Sequence, residues 1–82
     1  MDWYIGLIQL FESEQANCML CDGRQLPILQ YRALFELIGI TYGGDNRTYF
    51  MLPNLIGAEP DQNLRYYIVF NGIYPFRNNK IL

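Results

Sequence analysis

The residues best suited to chemistry in this chain are two cysteines, Cys18 and Cys21, which form a Cys-x-x-Cys pair. A redox-active pair of this kind normally lies at a helix N-terminus within a thioredoxin-like βαβ pattern. Here the pair falls on a predicted strand, where residues three apart point to opposite faces. A zinc site would need two further ligands, and the chain has no histidine and no third cysteine. The pattern therefore predicts two buried free thiols and no metal site.

Without histidine, acid or base catalysis would depend on the interior carboxylates, of which the candidates are Asp22, Asp45 and Glu36. Asp22 precedes Gly23 and Asp45 follows Gly43-Gly44, an arrangement typical of aspartates that form turns. Glu36 belongs to the polar side of a predicted helix. A carboxylate pair for glycoside cleavage stays open from spacing alone. Because each carboxylate has a structural role, we predict no catalytic residue, no cofactor and no enzymatic activity.

The glycine-rich segment Thr41–Thr48 invites comparison with loops that cradle a phosphate through backbone N–H groups. It follows a helix instead of joining a strand to one, and no Lys-Ser or Lys-Thr pair comes after it. The adjacent glycines and the Asp45-Asn46 pair permit positive φ angles and side-chain bonds to the local backbone. We therefore predict a tight structural loop, followed by a short buried segment, Tyr49–Leu52, that Pro53-Asn54 stops.

One helix must position these residues, and its prediction rests on spacing. Apolar side chains at i, i+3, i+4 and i+7 form a single stripe, made of Tyr31, Leu34, Phe35 and Ile38. The opposite side carries Gln30, Arg32 and Glu36, the last two spaced as an i, i+4 pair. Pro27 suits the approach to a helix, and Gly39 suits the C-terminal position. The pattern predicts a helix over about Leu29–Ile38, with a weakly held first turn because no good N-cap side chain precedes it.

Strands are predicted on both sides of this central segment. Trp3–Phe11 is apolar at nearly every position, which indicates a strand covered on both faces, one of them by another subunit. The polar connection Glu12–Asn17 leads to a second short strand, Cys18–Cys21, and to the Asp22-Gly23 turn. Leu64–Gly72 is predicted to be the closing strand. One of its faces carries Leu64, Tyr66, Ile68 and Phe70, and the other Arg65, Tyr67, Val69 and Asn71.

These elements predict an α+β fold, a small single domain over residues 1–82 with one central helix packed on a few short β-strands and a loose tail at residues 79–82. A chain this short buries only about 60–65% of its unfolded surface. Yet 51% of its residues are hydrophobic and 16% are aromatic. That excess of apolar side chains over what a small core readily hides predicts a partner surface.

Charge and hydropathy exclude two classes of partner. The formal net charge is −2 and the arginines are dispersed along the chain, so nucleic-acid binding through a basic patch is not expected. No apolar run approaches the length of a membrane span, and the N-terminus lacks the features of a signal peptide. We expect a soluble protein made in the cytoplasm, and its assembly into a virion or phage-like particle stays open.

The central segment resembles the phage tail collar domain, which also occurs in proteins described as microcystin-dependent. The shared residues, in order, are Cys21-Asp22-Gly23, Leu26-Pro27-Ile28, Gln30-Tyr31, Ala33-Leu34-Phe35, Leu37-Ile38-Gly39, Thr41-Tyr42-Gly43-Gly44-Asp45, Arg47-Thr48, Phe50, Leu52-Pro53-Asn54-Leu55 and Gly57. The family's opening strand and closing segment correspond to Ile5–Leu10 and Tyr67–Asn78. Two departures stand out. Cys18 replaces a usual aromatic, and a glycine-rich insertion, which carries receptor binding in phage short tail fibres, has shrunk to Ile56–Asn63.

The resemblance implies a structural or assembly module that self-associates, as a trimer about a fibre axis, in a tail fibre or a phage-derived particle that holds other tail-fibre proteins. Candidate subunit contacts lie on the strands that are apolar on both faces: Trp3, Ile5, Leu7, Tyr67 and Val69. The alternative is a small binding module that holds a glycan or a protein partner on exposed tyrosines. Its candidates are Tyr42, Tyr49, Tyr66, Tyr67 and Tyr74. A third possibility, a shortened domain recruited as an inhibitor or assembly factor, is not separable from the second by sequence.

Overall fold

The computed structural model describes residues 3–75 of the chain. This range contains five short strands and one helix: β1 (Ile8–Phe11), β2 (Cys18–Leu20), β3 (Gln25–Pro27), α1 (Arg32–Ile38), β4 (Tyr49–Met51) and β5 (Arg65–Val69). The strands form two antiparallel sheets, one with the order β1-β5-β2 and one made of β3 and β4. The predicted α+β class is confirmed. The predicted loose tail and the end of the closing segment, residues 76–82, lie outside the described residues.

The last strand in the sequence, β5, is the central strand of the larger sheet. Its Ile68 pairs with Ile8 of β1 on one side and with Met19 of β2 on the other. Ile68 is fully buried, and both partners pack against the same core. The run Tyr66–Val69 consists of aromatic and β-branched residues, which suit a strand that has neighbours on both sides.

The closing strand is shorter than the predicted Leu64–Gly72. It ends at Val69, although the N–H of Phe70 still donates to the carbonyl of Asn17 (2.9 Å), the next position in register with β2. Asn17 has a φ of 67°, so β2 does not extend back to this pair. The end of β5 therefore depends on the conformation of its neighbour, which the alternation of side chains does not reveal.

The opening strand begins at Ile8 instead of Trp3. The chain between them makes a turn in which the N–H of Leu7 donates to the carbonyl of Tyr4 (3.2 Å), and Gly6 supplies the positive φ of 95° that the turn requires. After this turn β1 pairs with β5 alone, so β1 is an edge strand of the sheet.

The smaller sheet holds the buried segment that the sequence predicts after the glycine-rich loop. Leu26 of β3 pairs with Phe50 of β4, and both side chains are buried. Leu52, just beyond β4, is 1% exposed, and the strand has ended before Pro53. Pro27 closes β3 on the edge of this sheet, where its missing N–H leaves no ladder bond unmade.

The helix begins at Arg32, three residues later than predicted. Ile28 still donates its N–H to the carbonyl of Thr48, the residue just before β4 (3.1 Å), so the chain at Ile28 is still paired with the smaller sheet. The N–H groups of Gln30 and Tyr31 then bond to the Pro27 carbonyl in a tight turn before the helix starts. As predicted, no side chain caps the first turn, and Gly39 has a positive φ at the other end. No helix within residues 3–75 is long and apolar enough to cross a membrane.

The predicted apolar stripe of α1 does pack into the core. Leu34 is fully buried, and the stripe's other members are half-buried against the same cluster. The Phe35 ring lies 5.4 Å from the Phe50 ring, which joins the helix to the smaller sheet. Arg32 and Glu36 have i, i+4 spacing but form no salt bridge; the ion pairs among the described residues are Arg24–Asp22 and Arg65–Glu59.

The second face of the larger sheet is covered by the chain's own aromatic residues. The Phe11 ring lies 5.9 Å from the Tyr67 ring and 5.1 Å from the Trp3 ring. Tyr67 is 7% exposed and Val69 is 1% exposed. Both faces of β5 are therefore covered from within one chain, whereas the opening strand β1 exposes Gln9. Cover of the opening strand by another subunit stays a prediction.

We expect Leu34→Ala to lower the free energy of unfolding by about 2–5 kcal/mol, because it leaves a cavity where helix and sheets meet. Leu29→Ala is the matched control, since Leu29 is 81% exposed in the turn before α1. Its effect should stay within about 0.5 kcal/mol. Urea denaturation followed by circular dichroism measures both. Similar losses in the two variants would contradict the placement of the core.

Candidate functional site

The two cysteines are free thiols in different surroundings. Cys21 is fully buried in the core, whereas Cys18 is half-buried, so the prediction of two buried thiols is correct only for Cys21. Burial first, and the neighbouring Asp22 charge second, raise the pKa of the Cys21 thiol to about 11. Burial also raises the pKa of Cys18. Thiols with raised pKa values are poor nucleophiles at neutral pH, which suits a packing role.

Asp22 forms part of a turn that ties two segments together. Its carboxylate accepts bonds from the Arg24 side chain at Nε and Nη2, both at 2.9 Å, and these bonds lower its pKa. The adjoining N–H of Gly23 donates to the Pro53 carbonyl (3.1 Å), and Asp22 pairs with Asn54. The carboxylate is therefore held as an anion against its own turn.

Asp45 organises the glycine-rich loop. Its carboxylate accepts the Thr48 hydroxyl (2.6 Å) and three backbone N–H groups, those of Arg47, Thr48 and Tyr49, at 2.8–3.0 Å. These bonds, that of the hydroxyl first, hold the pKa of Asp45 well below its ordinary value. An anion already occupies the centre of this loop, and the loop's N–H groups face it. The negative charge of Asp45 would repel a phosphate, which agrees with the prediction of a structural loop.

The two glycines of this loop allow the backbone to approach β4 closely. A Cβ built at Gly44 would lie 2.6 Å from Phe50 Cα and 2.6 Å from the Tyr49 carbonyl oxygen. A Cβ at Gly43 would lie 2.8 Å from the Met51 sulfur. The loop is therefore packed against the strand that follows it, and its glycines serve that contact.

Glu36, the third carboxylate candidate, lies on the exposed side of α1. Its neighbour is Tyr74, whose pKa is raised by burial first and by Glu36 second. Asp22, Asp45 and Glu36 thus stand on a turn, a loop and a helix, each with its own local partner. Among residues 3–75 no cluster of histidine, cysteine or acidic side chains could hold a metal ion.

The shortened loop after Leu55 is closed by an acidic residue. Glu59 has a 6% exposed side chain, and its Oε1 accepts the N–H of Gly57 (2.9 Å). Its Oε2 has no hydrogen-bond partner among the described residues, and the Arg65 Nε lies 3.9 Å away. Arg65 also donates to the carbonyls of Gln62 and Leu64, so it anchors the loop to the start of β5.

The predicted subunit-contact residues lie together around β1 and β5 but differ in exposure. Ile5, Tyr67 and Val69 are 8%, 7% and 1% exposed, so their side chains contact this chain itself. Trp3 is half-buried over Phe11. Only Leu7, at 36% exposed, is clearly on the surface.

A surface that spacing did not reveal adjoins Leu7. Tyr4 is 56% exposed and Ile73 is 42% exposed, and the two pair with each other in a short parallel bridge. Partners in a parallel bridge project to the same side, and Leu7 closes a turn on the carbonyl of Tyr4 (3.2 Å). We name Tyr4, Leu7 and Ile73 the N-terminal apolar patch.

The predicted ligand-binding tyrosines do not form one platform. Tyr42 is 45% exposed in the loop after α1, and Tyr49 is half-buried at the start of β4. Tyr66 and Tyr67 are neighbours on β5 and therefore point to opposite faces. Tyr74 is 38% exposed beside the helix. Their separation leaves no shared surface on which a ligand could contact all five.

An open groove of about 380 Å³ lies instead between the start of α1 and the end of β5. Its less exposed walls are Ile5, Tyr31, Ala33 and Phe70, and its exposed rim is Gln30, Arg32 and Asn71. The sequence predicts Tyr31 on the helix stripe and Phe70 on a strand face, whereas the structure places Tyr31 just before α1 and Phe70 just after β5. Sequence reasoning did not bring them together, because they are far apart in the chain and meet through β5.

We expect iodoacetamide at pH 8 to modify Cys18 of the folded chain while Cys21 resists until urea unfolds it. The thiolate is the reactive form, and each unit of pKa changes its fraction about tenfold. Mass spectrometry of proteolytic peptides gives the rate at each site. Equal rates in the folded chain would contradict the burial of Cys21.

We expect Gly44→Ala to destabilise the chain more than Gly57→Ala. Both glycines have positive φ, which costs a non-glycine residue about 1–3 kcal/mol. A Cβ at Gly57 meets nothing within 4 Å, whereas a Cβ at Gly44 overlaps backbone that cannot move aside. The additional loss at Gly44 should be at least about 2 kcal/mol. Urea denaturation tests it, and equal losses would contradict the close packing of this loop.

Comparisons with known proteins agree with this arrangement. A family model described as Phage Tail Collar Domain matches residues 6–60, which include the Asp22 turn, the Asp45 loop, the helix and the smaller sheet. Neither the curated proteins nor the solved structures yielded a match to the chain. The matched segment is more than half of the 82 residues. The chain belongs to the phage tail collar domain family.

Proposed function

We propose that this chain is a non-enzymatic structural and assembly module of a tail fibre or phage-derived particle, and that it self-associates as a trimer about the fibre axis. Membership of the phage tail collar domain family supports the particle context. The threefold symmetry is an expectation from the family resemblance. Other tail-fibre or particle proteins are the expected partners.

The observation that carries self-association is the N-terminal apolar patch. Tyr4, Leu7 and Ile73 are exposed by 56%, 36% and 42%; Tyr4 and Ile73 are bridge partners, and Leu7 closes the turn on the carbonyl of Tyr4. Contiguous exposed apolar side chains of this kind mark sites of protein association. Tyr is also among the residue types enriched in interfaces.

The edge of the larger sheet supports the same surface. β1 pairs with β5 on one side only, and Leu7 immediately precedes it. An edge strand presents unpaired N–H and C=O groups that another chain can pair with. A second copy seated on the patch would therefore find both apolar side chains and backbone hydrogen-bonding groups.

Of the contact residues predicted from the sequence, only those at the surface can contact another subunit directly. Ile5, Tyr67 and Val69 are buried within the chain, so they are no longer candidates for contact with another subunit. Trp3 and Leu7 remain candidates for direct contact with another subunit. A charge at Tyr67 would be buried in the chain itself, so that position does not report on an interface.

We expect light scattering after size exclusion to give a mass of three 9.7 kDa chains across a dilution series. Tyr4→Asp and Leu7→Asp should each shift the mass to that of one chain, because they place a charge in the apolar contact. Tyr42→Asp is the matched control, since Tyr42 is similarly exposed but lies in the loop after α1. It should keep the wild-type mass.

Circular dichroism of each variant separates dissociation from unfolding. A wild-type chain that is a monomer at every concentration would overturn self-association. An oligomer that survives both patch substitutions would show that a different surface carries it.

A further inference from the structure

We propose that the groove between the start of α1 and the end of β5 binds a small carbohydrate of one or two sugar residues, with a preference for a sugar that carries a carboxylate. The groove shares no residue with the N-terminal apolar patch. Its function is therefore separate from self-association, and either can fail without the other.

Two aromatic rings give the groove a wall that suits a sugar ring. Tyr31 and Phe70 have ring centroids 5.7 Å apart and an interplanar angle of 85°, so the pair is edge to face. Both are half-buried and pack against the core, which fixes their positions before a ligand arrives. The C–H groups on one side of a pyranose ring form an apolar surface that packs on such rings.

The rim supplies groups that both donate and accept hydrogen bonds. Gln30 and Asn71 are exposed amides, and an amide matches the mixed donor and acceptor character of sugar hydroxyls. The Asn71 Nδ2 donates to Asn17 Oδ1 (3.2 Å), which orients that amide. The Gln30 Nε2 lies at 3.5 Å from the Tyr31 hydroxyl, a long bond that a ligand hydroxyl can replace.

The charge of the groove comes from Arg32. Its guanidinium is on the rim, and no carboxylate of the described residues lies within salt-bridge distance of it. A guanidinium binds a carboxylate through two parallel hydrogen bonds. The lining contains no acidic residue, so a sugar acid is favoured over a neutral or basic sugar.

The size of the groove favours a small ligand over a protein partner. About 380 Å³ lies at the lower end of the range of small-molecule sites, roughly 300–1,000 Å³. A stable protein interface involves about 20–30 residues on each side, whereas seven residues line this groove. A few sugar atoms packed on two rings and bonded at the rim would fill it.

Titration of the ¹⁵N-labelled full chain with methyl β-D-glucuronide and with methyl β-D-glucoside tests the proposal by NMR. We expect both to shift resonances of groove residues and the glucuronide to bind more tightly. Arg32→Gln should raise the Kd of the glucuronide about tenfold, because it removes a charge-assisted pair. It should leave the Kd of the glucoside within about twofold. Gln30→Ala should weaken both ligands.

Arg47→Gln is the matched control, since Arg47 is also exposed but lies in the Asp45 loop. All three substituted side chains are exposed, so the variants should keep the fold. If neither sugar shifts the groove resonances at about 20 mM, the proposal is overturned, because binding would then be weaker than the millimolar range. Equal shifts with sodium acetate would reduce the site to anion binding at Arg32. Equal affinity in Arg32→Gln and Arg47→Gln would remove the preference for an acid.

Discussion

The fold depends on β5 taking the place between β1 and β2. This strand is last in the sequence among the described elements, and without it the first two strands have no partner. Its two faces hold two different sets of contacts, because alternate residues point to opposite sides. Ile68 enters the main core beneath the helix, and Tyr67 packs under Phe11 on the other face. The larger sheet is therefore completed only when residues from both ends of the chain meet, a topology that slows folding.

The residues that define the family resemblance act mainly on the backbone. Gly23 approaches Asn54, with a Cβ there 3.1 Å from the Asn54 Cβ, and Gly44 approaches β4 more closely still. Asp45 accepts three N–H groups of its own loop. These contacts fix how the loops lie against the smaller sheet. The carboxylates of Asp22 and Asp45 therefore already have partners within their own turn and loop.

The surfaces left over from this packing are distinct in chemistry. The N-terminal apolar patch is exposed beside the turn at Gly6, and its side chains are aromatic or aliphatic. The groove includes Ile5, which lies between Tyr4 and Leu7 but is buried, and it combines aromatic walls with amides and a guanidinium. The turn from Tyr4 to Leu7 thus leaves Tyr4 and Leu7 on the surface and directs Ile5 inward, which separates a surface suited to another copy of the chain from one suited to a polar ligand.

The sequence by itself determined the local features: the helix stripe, the end of the helix at Gly39, the turn-forming aspartates and the buried segment around Phe50. Each of these depends on spacing or turn chemistry within a few residues. Only the tertiary structure decided that α1 starts at Arg32, since the Ile28–Thr48 hydrogen bond that delays it crosses to another strand. The tertiary structure also decided that Tyr67 and Val69 are covered by their own chain and that Tyr31 meets Phe70. Those outcomes follow from the pairing of β5 with β1 and β2, a contact between distant segments that no local pattern specifies.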